Sequence, residues 1–193
     1  KFIAKGYTPL IAPAMVKEFT LFGNGQFPWG RQEVYQLNSD DGYLAGTAEV
    51  PVTAYYANET LSENDLPKKF VALSPCFRKE IGNYGKDTKG LYRVHEFWKV
   101  EQVILGPNDH ENSKKLHGEL QKNTEEIWQD LEIPYRVLLM AAGDMGEPQH
   151  FKDDVEAWMP GRNGYGEVAS NSIIGWKYKN PKSSPSDDGE RRD

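Results

Sequence analysis

Pro75-Cys76-Phe77-Arg78-Lys79-Glu80 and, after a Gly-rich loop, Arg93-Val94-His95-Glu96-Phe97-Trp98-Lys99-Val100-Glu101 form the stretch from which the fold is read. The second segment alternates like a strand. From Leu91 to Leu105, the residues Leu91, Arg93, His95, Phe97, Lys99 and Glu101 fall on one face, with Tyr92, Val94, Trp98, Val100 and Gln102 on the other. The first face is rich in ionisable groups, which are costly to turn inward unless something charged binds there. Arg78 offers a permanently charged fork of donors suited to a phosphate, Phe97 a flat ring for a base, and Glu80 or Glu101 an acceptor for an amino group. The loop Ile81-Gly82-Asn83-Tyr84-Gly85-Lys86-Asp87-Thr88-Lys89-Gly90 is suited to closing over a polyphosphate or a nucleic-acid end. Taken alone, the same spacing also fits an ordinary hairpin with solvated charges.

Composition narrows the class. The 193 residues are 38% hydrophobic and 27% charged, with five tryptophans and ten tyrosines, enough to build a sizeable core. No apolar run approaches membrane-spanning length and no charged-then-apolar leader opens the sequence, so a soluble, cytosolic protein is expected. Cys76 is the single cysteine, which excludes an internal disulfide and a cysteine-based zinc cluster and reads as a small buried hydrophobe. A net charge of −6 argues against a broad basic nucleic-acid surface, although Lys79, Lys86, Lys89 and Arg93 cluster around the loop.

The rest of the chain reads as one α+β domain over residues 1–176, followed by a polar, proline-containing tail over 177–193 expected to be loop or disordered. Asn108 to Glu132 has the clearest helical pattern, with Leu116, Leu120, Ile127 and Leu131 on one stripe as core positions, a start at Pro107-Asn108 and a stop at Pro134. A buried strand is expected over Tyr135 to Met140, then a turn at Ala141-Ala142-Gly143-Asp144-Met145-Gly146. His110, His117 and His150 show no metal-ligand spacing and read as surface residues; His95 lies among the site residues.

The long run from Phe77 to Glu101 resembles the second signature motif of class II aminoacyl-tRNA synthetases, and more narrowly its seryl-tRNA synthetase form. It carries Phe77-Arg78-Lys79-Glu80, then Gly85-Lys86-Asp87-Thr88-Lys89-Gly90, then Arg93-Val94-His95-Glu96-Phe97 and Lys99-Val100-Glu101. Upstream, Gly6-Tyr7-Thr8-Pro9-Leu10-Ile11-Ala12-Pro13 resembles the end of the first motif, where a strand closes on a proline at the dimer interface. Gly23-Asn24-Gly25-Gln26-Phe27-Pro28 is similar to the glycine-rich segment before the amino-acid pocket, and Thr47-Ala48-Glu49-Val50-Pro51-Val52-Thr53 to the serine-binding element. Downstream, Lys152 to Pro160 resembles the strand before the glutamate-serine element, and Glu167-Val168-Ala169-Ser170 resembles that element, with Ala169 in place of its first serine.

The resemblance implies an α+β fold with a mixed, mostly antiparallel sheet flanked by helices. It implies ATP and Mg2+ as cofactors and a two-step reaction: serine and ATP form seryl-adenylate, which passes its seryl group to the acceptor end of tRNA(Ser). By the same resemblance Arg78 binds the α-phosphate, with Lys79, Glu80 and Val94 helping to seat ATP and Phe97 stacking on the base. Glu167, Val168, Ala169 and Ser170 touch ATP, and Glu167 and Ser170 hold the metal; Arg78 and Glu167 are the catalytic pair. Thr47, Ala48, Glu49 and Glu101 read the amino and hydroxyl groups of serine. No general base is needed, because the amino acid's carboxylate is itself the nucleophile, so His95 is given a positioning role.

The family also carries an N-terminal helical arm and a third motif with a second arginine, neither of which this sequence matches. The chain is therefore expected to be a catalytic-core portion of a serine-tRNA ligase, homodimeric in full-length form. The alternatives are a synthetase-like paralogue that binds ATP or a protein partner without aminoacylating, and a seryl-type ligase for a carrier protein.

Overall fold

In the computed structural model, residues 1–38, 41–81 and 90–174 are described, and they fall into two compact units, residues 1–105 and 106–174. The loop residues Gly85 to Lys89 and the tail over 177–193 lie outside the described residues.

The first unit is organised by a three-stranded sheet in the order β1 (Thr8–Ile11), β4 (Lys68–Phe77), β5 (Glu96–Leu105), with β1 parallel and β5 antiparallel to the central strand. Cys76 lies opposite Phe97, Ser74 opposite Lys99 and Ala72 opposite Glu101. Along β4 the inward positions Phe70, Ala72, Ser74 and Cys76 are buried while Leu73 is exposed, the period-two pattern of a strand with one face in the core. Pro75 is tolerated in a strand flanked on both sides because β1 reaches only as far as Leu73.

On β5 the polar face does turn inward. Phe97, Lys99 and Glu101 are half-buried, whereas Trp98 and Val100 are exposed. The strand begins at Glu96, five residues later than the alternation alone implies. Ladder bonding ends because Arg78 N–H still donates to the His95 carbonyl, after which Glu80 adopts φ +51° and turns β4's continuation away, so Leu91 to Val94 have no strand to pair with.

Shorter elements pack over the sheet's inner side. The two-stranded antiparallel sheet of β2 (Met15–Lys17) and β3 (Gly42–Leu44) and the helix α1 (Glu18–Gly23) surround a cluster of Val16, Leu21, Phe27, Val34, Tyr43, Ala45 and Val50. The helix α2 (Glu49–Thr53) contributes Val50 to that cluster and Val52 to a second one with Ala12, Ala48, Phe70, Ala72 and Val103. With both valines buried on α2, Glu49 at its first turn is fixed in place. Cys76 is buried, as expected for a small apolar filler.

The second unit packs the helix α3 (His110–Asp130) on an antiparallel sheet ordered β6 (Tyr135–Leu139), β7 (Gln149–Met159), β8 (Gly164–Ile174). Asp109 caps the helix, its Oδ1 accepting from the Asn112 N–H at 2.7 Å.

Three expectations are corrected here. The buried stripe of α3 is polar: His117, Gln121, Asn123 and Thr124 are buried while Leu116, Leu120 and Ile127 are only half-buried and Leu131 is exposed. The reason lies in the facing strand, where Asn171 donates to Gln121 Oε1 at 2.6 Å and its carbonyl lies 3.3 Å from His117 Nε2, so the helix supplies partners rather than hydrocarbon. His117 is accordingly not a surface residue; His110 and His150 are exposed. The Tyr135 strand is not buried either, because β6 is an edge with only β7 beside it, and Val137 and Leu139 stand 40% and 69% exposed.

Candidate active site

The inner face of the first unit's sheet presents a pocket floor in which size alternates between strands. Small residues on β4 (Ala72, Ser74, Cys76) lie beside long ones on β5 (Glu101, Lys99, Phe97), so the long side chains reach forward without crowding. Thr47, buried just before α2, closes the cluster. Its hydroxyl donates to Glu101 Oε2 at 2.6 Å and accepts from Lys99 Nζ at 2.7 Å, while Lys99 also pairs directly with Glu101. The Glu49 N–H approaches Thr47 Oγ1 at 3.4 Å, tying the hydroxyl to the start of α2.

Glu49 completes the group. Asn24 Nδ2 donates to its Oε1 at 2.7 Å. Burial, reinforced by the nearby Glu101 charge, pushes the Glu49 carboxyl up to about 6, against the downward pull of the Asn24 hydrogen bond and of Lys99. Two carboxylates and one ammonium leave the pocket one negative charge in excess when both acids are ionised. Such a pocket attracts a cationic group with hydrogen-bond donors, the description of an amino acid's ammonium end.

Arg78 stands at the neighbouring edge. Its Nε donates to the Gly46 carbonyl at 3.1 Å, its guanidinium lies 5.3 Å from the centre of the Phe97 ring, and neither terminal Nη has a hydrogen-bond partner among the described residues. Held by one nitrogen and one ring, the fork keeps both ends for an oxyanion. His95 Nδ1 lies 3.1 Å from the Arg78 carbonyl, which fits the positioning role.

The other expected nucleotide contacts are less committed to that spot. Glu80 accepts from Arg93 at 3.0 Å, Lys79 Nζ lies 5.7 Å over the Tyr35 ring, and Val94 is half-buried ahead of β5.

Glu167, Val168, Ala169 and Ser170 lie on β8 in the second unit. A spacing of three normally puts Glu167 and Ser170 on opposite faces of a strand. Here Glu167 pairs with Glu156 but Ala169 with Val155, so Val168 is an extra residue, and the bulge returns Glu167 and Ser170 to one face, beside Glu156 and Asp154. Among the described residues no group of three or more acidic, histidine or cysteine side chains could hold a metal ion.

Sequence reading missed Asn24 and Lys99 as members of the cluster. Lys99 was discoverable, since i and i+2 on a strand share a face and put its ammonium beside Glu101. Asn24 lies 25 positions from Glu49 and gave no such signal.

The class of protein with this mixed sheet and charged inner face is shown by a family comparison. The chain belongs to the tRNA synthetase class II core domain family (G, H, P, S and T), whose model matches residues 33–179. Within it, the chain is 48% identical over 167 residues to the serine–tRNA ligase of Bdellovibrio bacteriovorus, covering 86% of this chain and 38% of that protein. It is 47% identical over 172 residues to the serine–tRNA ligase of Pyrococcus furiosus, covering 89% and 37%. The solved seryl-tRNA synthetase of Pyrococcus horikoshii complexed with ATP matches 92% of this chain and 39% of its own with a TM-score of 0.87 and 45% identity. The cytoplasmic serine–tRNA ligase of Naegleria fowleri in complex with AMP matches 92% and 38% with a TM-score of 0.86 and 34% identity. The chain thus spans about two fifths of the length of the relatives it matches.

Proposed function

We propose that this chain is the amino-acid-activating portion of a serine–tRNA ligase, acting in the cytoplasm on serine, ATP and tRNA(Ser), with the full-length protein a homodimer. One observation carries the reading: Thr47 and Glu49, two residues apart, meet Glu101, 54 residues beyond Thr47, in one pocket with a charge excess that suits an ammonium group.

In the first step a serine carboxylate oxygen attacks the α-phosphorus of ATP, the bond to the bridging oxygen breaks, and pyrophosphate leaves with its electron pair. Arg78 supports this step with its two uncommitted Nη groups, which disperse charge on the phosphorus oxygens as it becomes five-coordinate. Phe97 stacks on the adenine, and Lys79, Glu80 and Val94 seat the rest of the nucleotide. Thr47 and the carboxylates of Glu49 and Glu101 hold the serine ammonium and hydroxyl, with Ala48 shaping the wall. An alanine leaves the hydroxyl's partners unsatisfied, which is why discrimination of serine over alanine is large. In the second step a hydroxyl of the terminal tRNA ribose attacks the seryl carbonyl and AMP leaves.

Glu167 and Ser170, oxygen donors on one face of β8, suit a hard divalent cation held jointly with phosphate oxygens, and Val168 and Ala169 between them are assigned to ATP by the family resemblance. Mg2+ bound there supplies Lewis-acid neutralisation of phosphate charge.

Serine-dependent exchange of labelled pyrophosphate into ATP by the complete polypeptide tests the reading. Exchange with serine but not with alanine is expected; ATP binding with no serine-dependent exchange would leave only a nucleotide-binding paralogue.

A further inference from the structure

Asn24 has no role in the activity proposed above, yet its placement is specific. It caps the C-terminus of α1, where its N–H is satisfied by the Thr20 and Phe22 carbonyls, and it is 4% exposed. Gly25 follows at φ +75°, a left-handed turn that reverses the chain there. The freed amide donates through Nδ2 to Glu49 Oε1 at 2.7 Å, and Oε2 of Glu49 has no hydrogen bond among the described residues. One oxygen is thus fixed and the other is left for a ligand.

The charged groups facing Glu49 are Glu101 and Lys99, both on β5. Lys99 is already committed to Glu101 and Thr47. Among the described residues, Asn24 is the one neutral side chain that donates to the Glu49 carboxylate.

We propose that Asn24 is a positioning residue for the amino-acid site, aiming the free oxygen of Glu49 at the ligand and setting the pH above which the pocket accepts an ammonium group. The inference rests on the reading of Thr47, Glu49 and Glu101 as that site.

Carboxyl carbon NMR of Glu49, together with calorimetric L-serine binding between pH 5 and 8.5, tests it. In the wild type Glu49 titrates at about 6 and serine affinity falls as the pH drops through that value. Asn24→Ala raises the midpoint by about one unit, the loss of one hydrogen bond to the anion. Serine then binds about 3-fold more weakly at pH 6.5, with the difference widening towards about 10-fold near pH 5 and vanishing above pH 8 as Glu49 ionises in both proteins. Asn24→Asp keeps the side-chain shape and so guards against misfolding. It places two carboxyl groups at hydrogen-bond distance, and the pair retains one shared proton beyond neutrality.

An unchanged Glu49 midpoint in Asn24→Ala, or a loss of serine affinity equal at every pH, overturns the role of Asn24 while the serine reading stands. A wild type that binds no serine at any pH overturns both.

Discussion

Two polar networks among the described residues, one in each unit, differ in charge balance. In the second unit, Asn171, Gln121, Thr124 and His117 bind one another across α3 and β8: Asn171 Oδ1 accepts from Thr124 at 3.4 Å and its Nδ2 donates to Gln121 at 2.6 Å. These groups are amides, a hydroxyl and an imidazole bonded to one another, with carboxylates at the margin: Gln121 Nε2 donates to Glu125 at 3.1 Å and His117 Nδ1 lies 3.9 Å from Asp153. In the first unit, Thr47, Glu49, Lys99 and Glu101 carry two potential negative charges against one positive, and burial holds Glu49 well above its usual range. A network built mainly of amides fixes a helix on a sheet. An imbalanced charged one keeps a pocket destabilised until a ligand completes it. Burial of polar groups alone therefore does not mark a site.

The largest effect that would sharpen this contrast is expected at Arg78. Arg78→Ala should weaken ATP binding by about 100-fold, equivalent to roughly 2.7 kcal/mol, while the exposed side chain's removal leaves urea unfolding within about 0.5 kcal/mol of wild type. Equal losses in binding and stability would place Arg78 in the scaffold instead. Asn171→Ala should do the reverse. Removing the donor to the buried Gln121 Oε1 costs about 2 kcal/mol of stability, read by denaturant unfolding, with the Glu49 titration undisturbed.

Glu49→Gln gives the next effect, of opposite sign. The folded-state value of about 6 exceeds the unfolded value of 4.5, so between them the folded protein binds more protons and stability falls as pH rises. Below about 4.5 the side chain is protonated in both states and costs nothing; above about 6 its ionisation costs roughly 2 kcal/mol. The glutamine variant should therefore be more stable than wild type at pH 7.5 by up to that amount, match it near pH 4, and lose serine binding. Equal stability of the two at both pH values would contradict the strained-pocket account. The smallest effect is expected on the outer face of β5, where Val100→Thr should change stability by less than about 0.5 kcal/mol and leave both ligands' affinities intact.

Much of this was legible because strands encode their faces. The alternation of Phe97, Lys99 and Glu101 with Trp98 and Val100 correctly placed the ionisable face inward, and the motif run placed Arg78 at the edge of that face. The family and the α+β class followed from the same run. The α3 interface was not legible, since leucines at helical spacing imply a greasy stripe and only the facing Asn171 explains why His117, Gln121 and Thr124 are buried instead. Nor does a strand pattern announce a bulge. Glu167 and Ser170 look mutually opposed in sequence and share a face only because Val168 is extra. The Asn24 contact to Glu49 is a product of tertiary folding that local patterning does not carry.

The central claim, that the Thr47, Glu49 and Glu101 pocket is built for serine, is tested most directly by calorimetric titration of L-serine and L-alanine into the wild type and into Glu49→Gln at pH 7.5. Serine should bind the wild type at least about 100-fold more tightly than alanine, and the variant should lose that preference. Equal affinity for the two amino acids, or a variant that binds serine as the wild type does, would contradict it.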